Sequence, residues 1–216
     1  MSLKSIEEIV SCLVELDADA NLDTLPEVKA MRTLLIENSA IDRDHVSRFC
    51  VAAALNDYQE AISKNPIQDS YWGRFVHWIL SDGQESLSPW KRFHPTKQRR
   101  FLKFRNSRLW NMRLLGLDSW KLLYSLSEIM GQTPTSKTIC FAPLVLARWA
   151  YVINEPFVIE ENHPLPVDSR IQRLIQRFPS LDAQGLIRTV NNKRMLEGYR
   201  PLTMSDFDAW AWQTSV

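Results

Sequence analysis

The chain has 216 residues, 45% hydrophobic and 24% charged, with a formal net charge of +1. That is the composition of a globular domain with a sizeable core, and overall charge does not select a partner. Three widely spaced cysteines, Cys12, Cys50 and Cys140, exclude a disulfide framework and are too few for a four-thiolate iron–sulfur cluster.

The N-terminal stretch MSLKSIEEIVSCLVELDAD mixes acids with its apolar positions, unlike a signal peptide. No apolar run approaches the length of a membrane span. The expectation is an intracellular, cytoplasmic protein. Apolar residues recur at helical spacing almost throughout, and no stretch alternates with period two. Ile6, Ile9, Val10, Leu13 and Val14 form the first stripe, and Val28, Met31, Leu34 and Leu35 the second. His45 to Ile62 reads as a long helix with an alanine-rich face, and Tyr71 to Leu80 as an aromatic, apolar one. Leu109 to Met130 reads as one or two helices with a break at Gly116. Helices over Thr135–Val152, Ser169–Phe178 and near 182–195 and 203–213 complete an all-α fold of roughly ten helices, expected as one domain spanning 1–216 built of two interleaved helical subdomains.

Residues 86–117 contain no Asp or Glu. They hold Lys91, Arg92, Lys97, Arg99, Arg100, Lys103, Arg105, Arg108 and Arg113, with Trp90, Phe93, Phe101, Phe104 and Trp110 interleaved. Clustered cations repel one another unless an anion is near, so the stretch over about 89–113 is expected to contact phosphate. The plainer alternative is a helix face whose acidic partners lie elsewhere in the chain.

The segment SLSEIMGQTPTSKTICFA reads as a helix–hairpin–helix over about 119–152. Gly131 suits a left-handed helix stop, and Pro134 with Thr135 or Ser136 starts a second helix. A fresh helix N-terminus binds phosphate, which nominates Gly131, Thr133, Thr135 and Ser136 as backbone contacts. Lys137 stands in the first turn of this otherwise apolar helix. The positive helix end disfavours a cation and favours the neutral amine, the form that acts as a nucleophile. Thirty-one residues on, in HPLPVDSRIQRLIQRF, Asp168 opens another helix. A lone Asp there is ordinarily an N-cap.

The pair of motifs, SKTICFA and PLPVDSRI, preceded in order by LPEVKAMR, AALNDYQ and YWGRF, resembles the helix–hairpin–helix DNA glycosylase superfamily. Within it the likeness is to the archaeal GO glycosylase family, AGOG, over roughly Leu25 to Trp212. The resemblance implies removal of 8-oxoguanine from damaged DNA followed by strand cutting. Lys137 would attack the sugar C1′, with Asp168 assisting and stabilising the positive sugar. Phe141 and Trp210 would stack on the two faces of the extruded base. Asp206, Glu27 and the indole of Trp72 would read its edge. Asp208 and Trp212 repeat the spacing of Asp206 and Trp210, so the register stays open. Two positions depart from the family pattern: Glu27 stands where Gln is usual, and Leu144 where a second lysine is expected.

The resemblance implies no metal or other cofactor. His45, His77, His94 and His163 are far apart in sequence and are expected to be structural. The protein is expected to act as a monomer. The rival readings are a non-catalytic helical DNA-binding module and a protein-interaction domain whose basic stretch takes an acidic partner.

Overall fold

The computed structural model describes residues 5–56, 71–84, 94–160, 162–167 and 169–214. These residues form eleven α-helices: α1 (Ile6–Val14), α2 (Ala18–Asp23), α3 (Pro26–Glu37), α4 (Arg43–Leu55), α5 (Tyr71–Leu80), α6 (His94–Arg105), α7 (Ser119–Met130), α8 (Lys137–Val152), α9 (Ser169–Arg177), α10 (Ala183–Leu196) and α11 (Met204–Gln213). No strand occurs among the described residues. No helix of theirs is long and apolar enough to cross a membrane.

α8 is the central helix. From Thr138 to Leu146 every residue is buried, and Arg148, Trp149 and Ala150 continue the burial. A helix apolar nearly all round must be enclosed by others. Its most extensive partner is α4, where Cys50, Val51, Ala52, Ala53 and Ala54 have no exposed surface. Small alanine side chains let the two helices approach closely. α3, α7 and α11 pack on the remaining sides of α8.

The periphery is tied on by polar groups as well as by packing. α1 lies against α10, and Arg194 of α10 donates to the carbonyls of Leu13, Val14 and Leu16 at 3.1, 2.6 and 2.9 Å. The Val14 carbonyl closes α1, where a helix runs out of regular internal donors. Phe49, Trp78, Phe101 and Trp110 interlock at centroid distances from 4.7 to 5.8 Å, joining α4, α5 and α6. Gly83 is held at φ +79°, and a Cβ there would meet the Phe101 ring at 2.6 Å. Only glycine fits both demands.

Three expectations are corrected. The stretch Leu109 to Gly116 is not α-helical. It forms two short 3-10 turns, Arg108–Asn111 and Leu114–Gly116. α7 starts only at Ser119, where the Asp118 carboxylate accepts from the Lys121 N–H at 2.7 Å. The fourth helix begins at Arg43, capped by Asp42, and ends at Leu55; residues 57–62 of its expected range lie outside the described residues. Apolar spacing alone marks neither α2 nor α6 as a helix. α2 is one short segment capped by Asp17, and α6 hides its apolar face among cations.

Candidate functional site

The turn between α7 and α8 follows from its residues. Gly131 ends α7 at φ 65°, ψ 39°. The Gly131 and Gln132 N–H groups reach back to the Glu128 and Ser127 carbonyls, a left-handed stop. Ser136 is the N-cap of α8 but makes no side-chain cap bond. Its hydroxyl lies 3.0 Å from that of Thr133, which in turn is 3.3 Å from that of Thr135. This helix start therefore lacks the usual internal acceptor and displays three hydroxyls. Lys103 of α6 approaches the same turn, its Nζ 4.0 Å from where a Cβ on Gly131 would sit.

Lys137 is the first residue of α8 and is half-buried. Residues four, seven and eleven further on share its face of a helix. They are Phe141, Leu144 and Arg148, all buried. Side chains on a helix lean toward its N-terminus, and the Arg148 guanidinium carbon lies 5.4 Å from the Phe141 ring centroid. One terminal nitrogen of Arg148 is paired with Glu27 Oε1 of α3. The other donates to Asp208 Oδ2 of α11 at 2.6 Å. Burial alone would push this guanidinium down, but the charges of Glu27 and Asp208 outweigh it and hold it above the usual arginine range.

Cys140 adjoins this stripe. Burial first, and the Asp208 carboxylate second, push its thiol up to about 12, while Lys137 acts in the opposite direction. It is thus inert as a nucleophile near neutral pH.

Asp206 and Asp208 go different ways. Asp206 closes a capping box at the start of α11, bonded to Thr203, and is ion-paired with Arg200 at 3.0 Å. Asp208 joins Glu27 at Arg148. Trp210 is buried, its ring tilted against Phe207 at 5.5 Å; Trp212 is half-buried. Trp72 belongs to α5, but its side chain lies outside the described ones, and Asp168 lies outside the described residues altogether.

The cations of the basic stretch divide into two groups. Arg105 is paired with Asp82 and packs over Phe101 and Trp110. Arg113 pairs with Glu155 at 2.8 Å, and Arg100 reaches the Leu55 carbonyl at 3.4 Å. Arg99, Lys103 and Arg108 are exposed. Lys91 and Arg92 lie outside the described residues.

Sequence reasoning missed Arg148 and gave His163 no specific place. Arg148 carried one signal, a lone cation in an apolar helix on the Lys137 face. His163 is fully buried, with Nε2 3.0 Å from the Cys140 carbonyl. A carbonyl only accepts, so Nε2 carries the hydrogen. A separate cleft of about 540 Å³, lined by Glu160, Asn162, Gln184, Arg188 and their neighbours, contains none of the expected site residues. No group of three or more metal-ligating side chains is found among the described residues.

A family model described as AGOG, N-glycosylase/DNA lyase, matches residues 19–200. The fold matches the crystal structure of 8-oxoguanosine-complexed Pa-AGOG, an 8-oxoguanine DNA glycosylase from Pyrobaculum aerophilum, with a TM-score of 0.66. Identity is 18%, over 96% of this chain and 86% of that one. No curated protein matches. With the family model covering most of its length, the chain belongs to the AGOG family of DNA glycosylases.

Proposed function

We propose that this glycosylase excises an oxidised purine, 8-oxoguanine above all, and then cuts the strand as a lyase through an imine on Lys137. The observation that carries the reading is the α8 stripe. An amine at the helix start, an aromatic ring one turn on and an arginine that holds carboxylates of α3 and α11 lie along one face of α8. The neighbour of shared fold, crystallised with 8-oxoguanosine, supports the choice of base.

The chemistry runs as follows. A base within a duplex is out of reach, so the nucleotide is extruded at a cost of a few kcal/mol, which stacking of about 1–3 kcal/mol per aromatic offsets. The neutral Lys137 amine attacks C1′ as the C1′–N bond breaks. The base leaves with the bonding electron pair and takes up a proton. Asp168 stabilises the positive charge that develops on the sugar. The nitrogen now bonded to C1′ gives up one proton, the C1′–O4′ bond breaks with O4′ taking up a proton, and a protonated imine forms. Removal of a C2′ proton then expels the 3′ phosphate by β-elimination, and water releases the lysine. The hydroxyls of Thr133, Thr135 and Ser136 at the positive end of α8, with Lys103, Arg99 and Arg108, hold the flanking phosphates.

The test is borohydride reduction in the presence of a duplex carrying 8-oxoguanine. A protein–DNA adduct that survives denaturation is expected, and Lys137→Gln should abolish it. An adduct that forms at the normal rate in Lys137→Gln refutes this role for the lysine.

A further inference from the structure

Arg148 has no part in the chemistry above, yet it is the most deeply placed charge on the Lys137 face of α8, with no side-chain exposure. It joins three helices: Glu27 comes from α3 and Asp208 from α11. A planar guanidinium fixes two carboxylates at set angles, which an ammonium does not. Stability is a poor reason for the arrangement, since apolar residues of the same volume usually serve as well or better.

Two atoms of the cluster are left over. Glu27 Oε2 and Arg148 Nε are buried and have no hydrogen-bond partner. Glu27 is only 2% exposed. Buried polar atoms without partners are rare, because each forfeits its hydration. Glu27 cannot turn to satisfy Oε2, because Arg148 holds Oε1. A carboxylate is an acceptor only, so the missing partner is a donor. The ring that Arg148 underlies, Phe141, belongs to the same stripe as Lys137.

We propose that Arg148 is the positioning residue for base selection: it holds Glu27 so that Oε2 accepts an N–H from the extruded base, and it braces Phe141 from below. This rests on the reading of Lys137 and its stripe as the base-excising site. The ligand class is a purine lesion whose recognised edge offers N–H donors. A base with only lone pairs on that edge meets a buried carboxylate and is rejected.

The experiment compares wild type, Arg148→Lys and Glu27→Gln on two duplexes, one with 8-oxoguanine and one with a preformed abasic site. Arg148→Lys keeps the charge and loses the fork. Glu27→Gln leaves an acceptor for Arg148 and turns the other atom into a donor. Both variants should lower the ratio of base release to abasic-site cutting by about tenfold or more. Both should also weaken binding of free 8-oxoguanosine, followed by tryptophan fluorescence. A structural tie would lower melting temperature and leave that ratio alone. Should Arg148→Lys fail to fold, Glu27→Gln carries the comparison. A ratio and nucleoside affinity within about twofold of wild type in the folded variants overturn the proposal while leaving the lysine chemistry intact. A wild-type chain inert on both duplexes removes the excision reading and this proposal with it.

Discussion

The imidazole of His163 meets the carbonyl of Cys140 at 3.0 Å, in the turn of α8 that follows Lys137. The contact ties the segment leading to Pro164–Leu165–Pro166 onto the helix that carries the amine. Nδ1 of the same ring is buried without a hydrogen-bond partner. Burial lowers the His163 pKa, only partly opposed by the Cys140 carbonyl and Glu160.

A pH dependence of stability follows from that direction. The unfolded chain takes up a proton on His163 near pH 6.5, whereas the folded chain does so only at lower pH. Stability from this group is therefore complete above about pH 6.5 and falls as pH drops through the window below it. Urea unfolding across that range should show the decline, and His163→Gln should flatten it. An unchanged slope in the variant would place the titrating group elsewhere.

The basic stretch offers a contrast between two arginines. Arg99 is exposed, so Arg99→Ala should weaken binding to all DNA sequences alike and reduce the salt slope by about one unit. Arg105 is held by Asp82 and two aromatic rings. Arg105→Ala should leave the slope in place and cost about 1 kcal/mol in folding. Equal slopes for wild type and Arg99→Ala, measured by titration at several salt concentrations, would make this face merely solvated.

Stability of the Arg148 cluster can be checked apart from its proposed role. Arg148→Met leaves two carboxylates buried without their cation and should cost about 3–5 kcal/mol in denaturant unfolding. Adding Glu27→Met and Asp208→Leu to the same chain should recover most of that loss, because a dry apolar replacement needs no partner. A triple variant as unstable as the single one would contradict the account of the cluster.

Asp168 has two readings that one substitution separates. Asn caps a helix about as well as Asp, so Asp168→Asn should change folding stability by only a few tenths of a kcal/mol. A neutral amide stabilises a positive sugar far less than a carboxylate does. Base release in single turnover should slow by about a hundredfold or more. Near-normal release would leave Asp168 as a cap alone.

The sequence by itself determined the helical class and the start of α8. Apolar spacing is a local property, and so are the Gly131 stop and the Ser136–Lys137 start, since backbone preferences act within a turn or two. The family could be recognised for the same reason: SKTICFA and PLPVDSRI are contiguous words. Local reading failed where spacing misled. Leu109, Leu114 and Leu115 are buried, yet they sit in 3-10 turns. Phe101 and Phe104 of α6 are buried, yet in sequence they stand inside a basic run that masks their apolar spacing. Tertiary structure alone decided which carboxylate joins Glu27. Asp206 and Asp208 have the same spacing to a tryptophan, and only Arg148, 121 residues from Glu27 and 60 from Asp208, separates them. It also decided which cations have an acid beside them: Asp82 and Glu155, both outside the basic stretch, pair with Arg105 and Arg113. Partners that distant in sequence are set by how helices pack, and no periodicity within one helix encodes them.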